Sequence, residues 1–540
     1  MTLTWWRPSG LLGRTIRSRA GLWLALLTAT SGVTHAQSDA LTGFDAYVTR
    51  ALAQWRVPGV AVAVVRGDSV VLVRGYGVKE AGRPDPITAR TMFEIGSTSK
   101  AFSAALIAML VDEGRLDWDD RVADRLPGFQ LKDPFVTRQV TLRDLLSHRT
   151  GLVGAFNAYV TAPRAEVVRR TRFLDPVIPF RSRYEYSNPL YATAGEVAAA
   201  VAGKPWERLL EERITGPIGM RETTTDISRF FDSTRFSHCF YCALPARIPS
   251  IADARPGTDV AMPHVLRNDS VKVIPWQSYD NAVSAGSVIS NVSELAQWLR
   301  LLLNEGRYGG RELIKPATLR EMLRPQSVLR PTGWIAMVDS LSPSTHFWSY
   351  GLGWRMNDYR GRKVVWHTGG IVGFLAYVGM VPDERLGIVV LSNGDLGYEL
   401  LPQSLAMRIT DLYLGAPVRD WSSELVAAMS ADRQRQTESE ARLQASRVTG
   451  TRPSRPVEQF AGRYRSDLFG EAIVTATGDG LRFRIADGAE GALQHWNYDV
   501  FRLYLDATNP GGYFATFETG PSGAIVRLNI TGLGTFESVR

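Results

Sequence analysis

β-type sequence occurs in two blocks that bracket a long helical region, and this order limits the folds open to the 540-residue chain. The first block joins Val60–Val65 to Val70–Val73 through Arg66-Gly67-Asp68-Ser69, and β-branched runs flanking a short Gly/Asp/Ser segment read as a hairpin. The Arg-Gly-Asp triplet is therefore turn chemistry. The second block comprises Lys363–Trp366, Leu375–Val381 and Leu386–Leu391, with Pro382-Asp383-Glu384-Arg385 turning between the last two. Between the blocks, apolar residues recur at helical spacing, most clearly over Thr98–Val111, which stops near Gly114, and over Ser293–Leu303. One antiparallel sheet closed from its two chain ends, with an all-helical subdomain inserted beside it, satisfies this order. The expected fold class is α+β, an α/β sandwich in which helices flank the sheet.

The flanking segments complete the domain plan. Arg7, Arg14, Arg17 and Arg19 precede the apolar run Leu22–Leu27, no acidic residue occurs before Asp39, and Thr34-His35-Ala36 offers a cleavage site before Gln37. Residues 1–36 thus read as a signal peptide, too short in its apolar core to span a bilayer, and the mature protein is expected to be periplasmic or secreted. Ser38–Trp55 has helical periodicity, and Leu400–Leu414 forms a later helix. Phe230–Asn281 is irregular and rich in Pro and aromatics, the pattern of a long loop or lid. The first folded unit is placed at 37–418. A polar helical and Pro-containing connector follows over 419–456, and 457–540, with short alternating runs such as Ala472–Thr477 and Leu481–Ile485, forms a small all-β, barrel-like domain.

Charge excludes one class of partner. The net charge of +8 includes the four leader arginines, and the remaining basic residues are spread without dense runs. That is a solvated mixed surface and no nucleic-acid footprint. The only cysteines, Cys239 and Cys242, have no second ligand pair at zinc spacing. In an exported chain they read as a local disulfide or inert thiols. No metal or other cofactor is implied, and the expected partner is a small-molecule or peptide substrate.

Three short motifs carry chemistry. Ser97-Thr98-Ser99-Lys100 lies where the strand-like Phe93-Glu94-Ile95 turns into the apolar helix. A serine there, with lysine one helical turn later, puts hydroxyl and amine on one face, and the helix start favours the negative charge of an acyl-transfer intermediate. Tyr186-Ser187-Asn188 offers a phenol and an amide two residues apart, able to relay a proton and hold a carbonyl. His367-Thr368-Gly369-Gly370 ends a strand, and its glycines admit a close backbone approach.

In this order, the motifs resemble the serine β-lactamase and penicillin-binding protein superfamily, with Tyr-x-Asn as in class C members. Leu145-Leu146-Ser147-His148-Arg149-Thr150-Gly151-Leu152, Pro217-Ile218-Gly219-Met220 and Ser284-Ala285-Gly286 through Trp298 extend the likeness over about Leu41–Leu414. The resemblance implies an acyl-enzyme on Ser97, with proton transfer shared by Lys100 and Tyr186, either of which could be the base. It implies that Asn188, His367, Thr368, Gly369 and Gly370 contact substrate, with the N–H groups of Ser97 and Gly370 as oxyanion hole. His148 is expected to be structural. Gly462-Arg463-Tyr464 fits the start of a β domain like those appended to many members.

One position departs from the pattern: His367 replaces the lysine of Lys-Thr-Gly. A histidine, with an unperturbed pKa near ~6.5, would often be neutral there. Within the superfamily that substitution occurs in D-aminopeptidases and esterases, so the expectation is a hydrolase of D-amino-acid peptides or small esters, with β-lactams as a further possibility. The alternative is a penicillin-binding or sensing protein that is acylated but turns over poorly.

Overall fold

The computed structural model describes residues 40–539 apart from 240–241, 243–244, 246, 268, 395–399, 479 and 506–510. The expected signal peptide therefore lies outside the described residues. Gly43–Arg540 forms one compact unit.

Its centre is an eight-stranded antiparallel sheet. In chain order the strands are β1 (Gly59–Arg66), β2 (Ser69–Gly77), β3 (Ser327–Val328), β4 (Trp348–Tyr350), β5 (Arg355–Tyr359), β6 (Arg362–Ile371), β7 (Phe374–Val381) and β8 (Leu386–Ser392). They lie in the order β2-β1-β8-β7-β6-β5-β4-β3. The two β blocks meet where β1 pairs with β8, with Ala61 opposite Leu391 and Ala63 opposite Val389. β1, β7 and β8 are buried almost throughout, so both faces of the sheet are covered and alternation gives way to continuous apolar runs.

Helices supply the cover. α1 (Phe44–Trp55), α2 (Ser99–Asp112), α3 (Asn188–Ala202), α4 (Val283–Gly286), α5 (Val292–Leu303), α6 (Leu400–Tyr413) and α7 (Trp421–Ala445) are those that matter here. α5 is strongly amphipathic and packs on β1 and β8, while α6 packs on β7 and β8. α2 is buried on nearly every side, as a helix apolar all round must be. It lies inside the helical subdomain and contacts α3 and α4.

The lid-like stretch contains 3₁₀ turns, the hairpin His264–Arg267/Ser270–Val273 and a Cys239–Cys242 disulfide. α7 begins at Asp420, whose side chain accepts from the Ser423 N–H. Only Trp421, Ser422, Leu425 and Met429 of this helix are buried. Its outer turns are carried by polar pairs such as Arg435–Asp432 (2.8 Å) and Gln444–Glu440 (2.7 Å).

Beyond the connector, β9 (Gly462–Ser466), β10 (Gly470–Thr477), β11 (Gly480–Ile485), β12 (Glu490–Asn497), β13 (Val500–Leu505), β14 (Tyr513–Thr519), β15 (Ile525–Ile530) and β16 (Gly534–Val539) close into a barrel. Inward positions hold Phe460, Tyr464, Phe483, Phe501, Phe517 and Phe536, all buried. Phe460, Phe501 and Phe517 meet at centroid distances of 5.0–5.5 Å, so the interior is a packed aromatic core. Buried Arg502 bonds to Glu440 and ties the barrel to α7. Among the described residues no helix is long and apolar enough to cross a membrane.

Candidate active site

Ser97 stands at a forced turn. Phe93–Glu94 pairs with Ile289–Ser290, the backbone reverses at Gly96 (φ 51°), and Gly96–Thr98 forms a 3₁₀ turn leading into α2. Gly96, Thr98, Ser99 and Lys100 are buried, whereas Ser97 is partly exposed. β6 lies directly against this turn. A Cβ on Gly369 would stand 1.9 Å from the Ile95 carbonyl oxygen and 3.0 Å from the Ser97 nitrogen. Only glycine permits that approach.

The Ser97–Lys100 and Tyr186–Asn188 motifs and the Ser284-Ala285-Gly286 segment, far apart in the chain, meet around the Ser97–Lys100 pair. Lys100 Nζ lies 3.0 Å from Ser97 Oγ and donates to Asn188 Oδ1 and the Ala285 carbonyl, each at 2.8 Å. The Tyr186 hydroxyl donates to Ser97 Oγ at 2.6 Å. Lys100 Nζ also lies over the rings of Tyr186 and Tyr191, at 4.8 and 5.3 Å from their centroids. An ammonium would spend its three N–H groups on the three oxygens. A neutral amine donates to the two carbonyls, which can only accept, and turns its lone pair toward the Ser97 hydroxyl proton. Burial pushes the Tyr186 phenol well above its ordinary pKa; Tyr350 and Tyr184 add to this, and Arg355 opposes it. Tyr186 is thus a phenol, not a phenolate, at neutral pH.

His148 is buried with a left-handed backbone (φ 55°) among the rings of Tyr184, Tyr186, Tyr191 and Tyr350. Its Nδ1 accepts from the Ser187 N–H at 3.1 Å, fixing the backbone between Tyr186 and Asn188. Burial, then the charges of Lys100 and Arg355, hold its pKa far below the ordinary histidine value.

His367 differs from the sequence expectation that it faces substrate. Its ring is fully buried; Nδ1 lies 2.5 Å from the Thr368 carbonyl oxygen and Nε2 3.0 Å from the Tyr350 hydroxyl. Burial, Arg355 and Lys100 together keep it neutral, so Nδ1–H donates to Thr368 and Nε2 accepts from Tyr350. Both ring nitrogens are engaged, within the same group of rings that encloses His148. Thr368, Gly369 and Gly370, in contrast, run along β6 beside the Ser97 turn.

Sequence reasoning missed Arg355. It lies at the start of β5, paired with Trp366, and its Nη1 donates to Thr368 Oγ1 at 2.9 Å. Its guanidinium lies over the rings of Tyr186, Trp334 and Trp366 at 5.6–5.8 Å from their centroids. The site therefore has a permanent cation beside the Thr-Gly-Gly strand, supplied by a neighbouring strand. Its only signal in the sequence was an arginine one hairpin upstream of the motif.

A family model described as Beta-lactamase matches residues 44–403, and one described as Domain of unknown function (DUF3471) matches 446–537. The chain is 29% identical over 410 residues to unguisins hydrolase of Aspergillus violaceofuscus (strain CBS 115571), covering 72% of this chain and 68% of the relative. It is 28% identical over 393 residues to penicillin-binding protein 4 of Amycolatopsis lactamdurans, covering 68% and 91%. Among solved structures it is similar in fold to the octameric penicillin-binding protein homologue from Pyrococcus abyssi (TM-score 0.58, 20% identity, 92% of this chain and 99% of that one). A D-stereospecific amidohydrolase from Streptomyces sp. matches with TM-score 0.50 and 23% identity over 69% and 99% of the two chains.

Proposed function

The chain belongs to the beta-lactamase family and is a serine hydrolase, and on that premise we propose that it cleaves amide or ester bonds through an acyl-enzyme on Ser97. The observation that carries this reading is the position of Ser97 Oγ, 3.0 Å from Lys100 Nζ and 2.6 Å from the Tyr186 hydroxyl.

In its unprotonated form Lys100 takes the Ser97 proton as Oγ attacks the carbonyl carbon. Tyr186, kept protonated by burial, is suited to giving its proton to the departing nitrogen or oxygen, and the Lys100 ammonium then restores the phenol. The oxyanion is held by the N–H groups of Ser97 and Gly370, an interaction worth about 3–4 kcal/mol where measured in other hydrolases. Water attacks the ester in turn, passing a proton through Lys100 to Ser97 as the serine leaves. Asn188 both orients Lys100 and presents its amide to the acyl group.

Substrate choice follows from Arg355 and Thr368. A carboxylate near the scissile bond would meet a guanidinium and a hydroxyl already aligned. The substrate class proposed is therefore D-amino-acid peptides or small esters, with carboxylate-bearing members favoured. The neighbouring fold described as a D-stereospecific amidohydrolase supports that choice. Export belongs to the same reading: the arginine-bearing leader and the Cys239–Cys242 disulfide suit an oxidising compartment, and a mature N-terminus at Gln37 would be its signature.

A panel of p-nitrophenyl esters, D-aminoacyl anilides and a chromogenic cephalosporin, read with intact-protein mass spectrometry, tests the proposal. Turnover through a transient adduct on Ser97 is expected. Stoichiometric adduct without turnover would favour the acylated sensor instead.

A further inference from the structure

The barrel grips one short loop of the hydrolase unit, and that loop touches both segments that orient Lys100. Val153–Thr161 contains little regular structure beyond the 3₁₀ turn Phe156–Tyr159. On its inner side the Gly154 carbonyl accepts from the Asn188 N–H at 3.1 Å. Asn281 Nδ2 donates to the carbonyls of Asn157 and Val160, each at 2.8 Å. Asn281 leads into α4, whose Ala285 carbonyl accepts from Lys100. The two oxygens that can only accept from Lys100, Asn188 Oδ1 and Ala285 O, thus belong to the two segments this loop ties down.

The outer side of the loop belongs to the barrel. The turn Ala486–Ala489, between β11 and β12, adds to it as a strand would. The Thr161 N–H donates to the Asp487 carbonyl at 2.7 Å, Thr161 Oγ1 to the same oxygen at 2.8 Å, and the Ala489 N–H to the Tyr159 carbonyl at 2.9 Å. Phe469 stands edge-on to Phe156 and Tyr159, at 6.5 and 6.0 Å between centroids, and Arg170 Nη1 donates to the Leu468 carbonyl. The approach at Gly488 is as close as backbone allows: a Cβ there would stand 1.8 Å from the Tyr159 carbonyl oxygen.

We infer that the C-terminal barrel is a clamp on the Val153–Thr161 loop, and that its turn Asp487–Ala489 and Phe469 are positioning elements for the Asn188 and Ala285 oxygens that orient Lys100. The inference rests on the reading of Ser97 and Lys100 as catalytic. It assigns the segment of unknown function a part in the hydrolase reaction, without any barrel group touching substrate. Phe156, Ala158 and Val160 of this loop are buried, and the barrel supplies part of the packing and backbone hydrogen bonding that keeps the irregular segment closed. Small misplacements of a catalytic group cost rate more than affinity; Arg355 and Thr368 lie on β5 and β6, away from the clamp, and Asn188 is the substrate contact that the clamp reaches.

Gly488→Val separates the barrel turn from Tyr159 without altering any residue of the cleft. Amide hydrogen exchange, kcat and KM are compared with the wild type on one p-nitrophenyl ester. Exchange should accelerate about tenfold or more over residues 154–161 and at the Asn188 amide, kcat should fall about tenfold, and KM should change less than kcat. Thr161→Val, which loses only the hydroxyl contact, should show a smaller change of the same kind, and Thr161→Ser should restore wild-type values. This pair carries the test should Gly488→Val fail to fold. Unchanged exchange at Asn188, faster exchange with unchanged kcat, or equal losses in Thr161→Val and Thr161→Ser would each overturn the clamp. A wild-type Ser97 that takes no acyl group would overturn the site reading instead, and exchange at Asn188 would still decide whether the barrel holds the loop.

Discussion

Arg355 donates to the Thr368 hydroxyl at 2.9 Å from the strand next to that residue's own. A positive charge, which the motif lacks at His367, thus stands beside Thr368 from a different element, and it is permanent where a histidine's would be conditional.

Arg355→Gln keeps a hydrogen-bond donor and removes the charge. One charge-assisted contact is worth about 2 kcal/mol, so kcat/KM on an ester bearing a free carboxylate should fall about 30-fold, with little change on its neutral counterpart. Steady-state kinetics on the matched pair decides it; an unchanged ratio removes Arg355 from substrate recognition.

His367→Lys gives the opposite lesson. The sequence expectation made this position a substrate contact. The buried ring, engaged at both nitrogens, leaves an ammonium without solvent and close to Arg355 and Lys100. The substitution should destabilise the fold by several kcal/mol and lower activity on charged and neutral esters alike, as read by urea unfolding and by the same ester pair.

Four residues of the site were legible because each sits in a local pattern. Ser97 and Lys100 share a helix turn, and Tyr186 and Asn188 flank one residue. Their meeting through Lys100 is tertiary, yet the order of motifs implied it. Arg355 was not legible: Gly351-Leu352-Gly353-Trp354-Arg355 lacks a β-branched run, and the contact with Thr368 depends on the register Arg355↔Trp366. The enclosure of His367 was not legible, because a strand alternates faces and the motif alone does not say which side is enclosed. The sheet was readable from β1, β7 and β8, whose runs are continuous and apolar. β3, β4 and β5 are short edge-side strands, and the sequence carried no comparable signal for them. The barrel's closure was open in sequence, since hairpin alternation is the same in a half-barrel.

Buried histidines make the fold acid-sensitive, and two of the three among the described residues lie at the site. His148 and His367 have folded-state pKa values well below 6.5, from burial and from nearby Lys100 and Arg355. The unfolded chain binds their protons below about pH 6.5 while the folded chain does not, so stability falls as pH falls, by about 1.4 kcal/mol per pH unit for each. Urea unfolding between about pH 6 and 5 should show a shallower loss for His367→Gln than for the wild type, by about that amount per unit. Parallel slopes would mean that the ring is protonated in the folded state.

Lys100→Met and Tyr186→Phe each remove one neighbour of Ser97 Oγ. Each should slow acylation by about 10²-fold or more. The double variant should be far less than multiplicatively worse, because the two groups serve one proton path. Single-turnover acylation rates check this, and losses that multiply would mean independent roles.

The central claim is that Ser97 is the nucleophile, and intact-protein mass spectrometry after reaction with a fluorophosphonate tests it most directly. The wild type should gain one phosphonyl group, mapped by peptide digestion to Ser97, in step with the loss of ester hydrolysis, and Ser97→Ala should gain none and hydrolyse nothing. Labelling of Ser97→Ala, or an adduct on any other residue that tracks the loss of activity, would contradict the account.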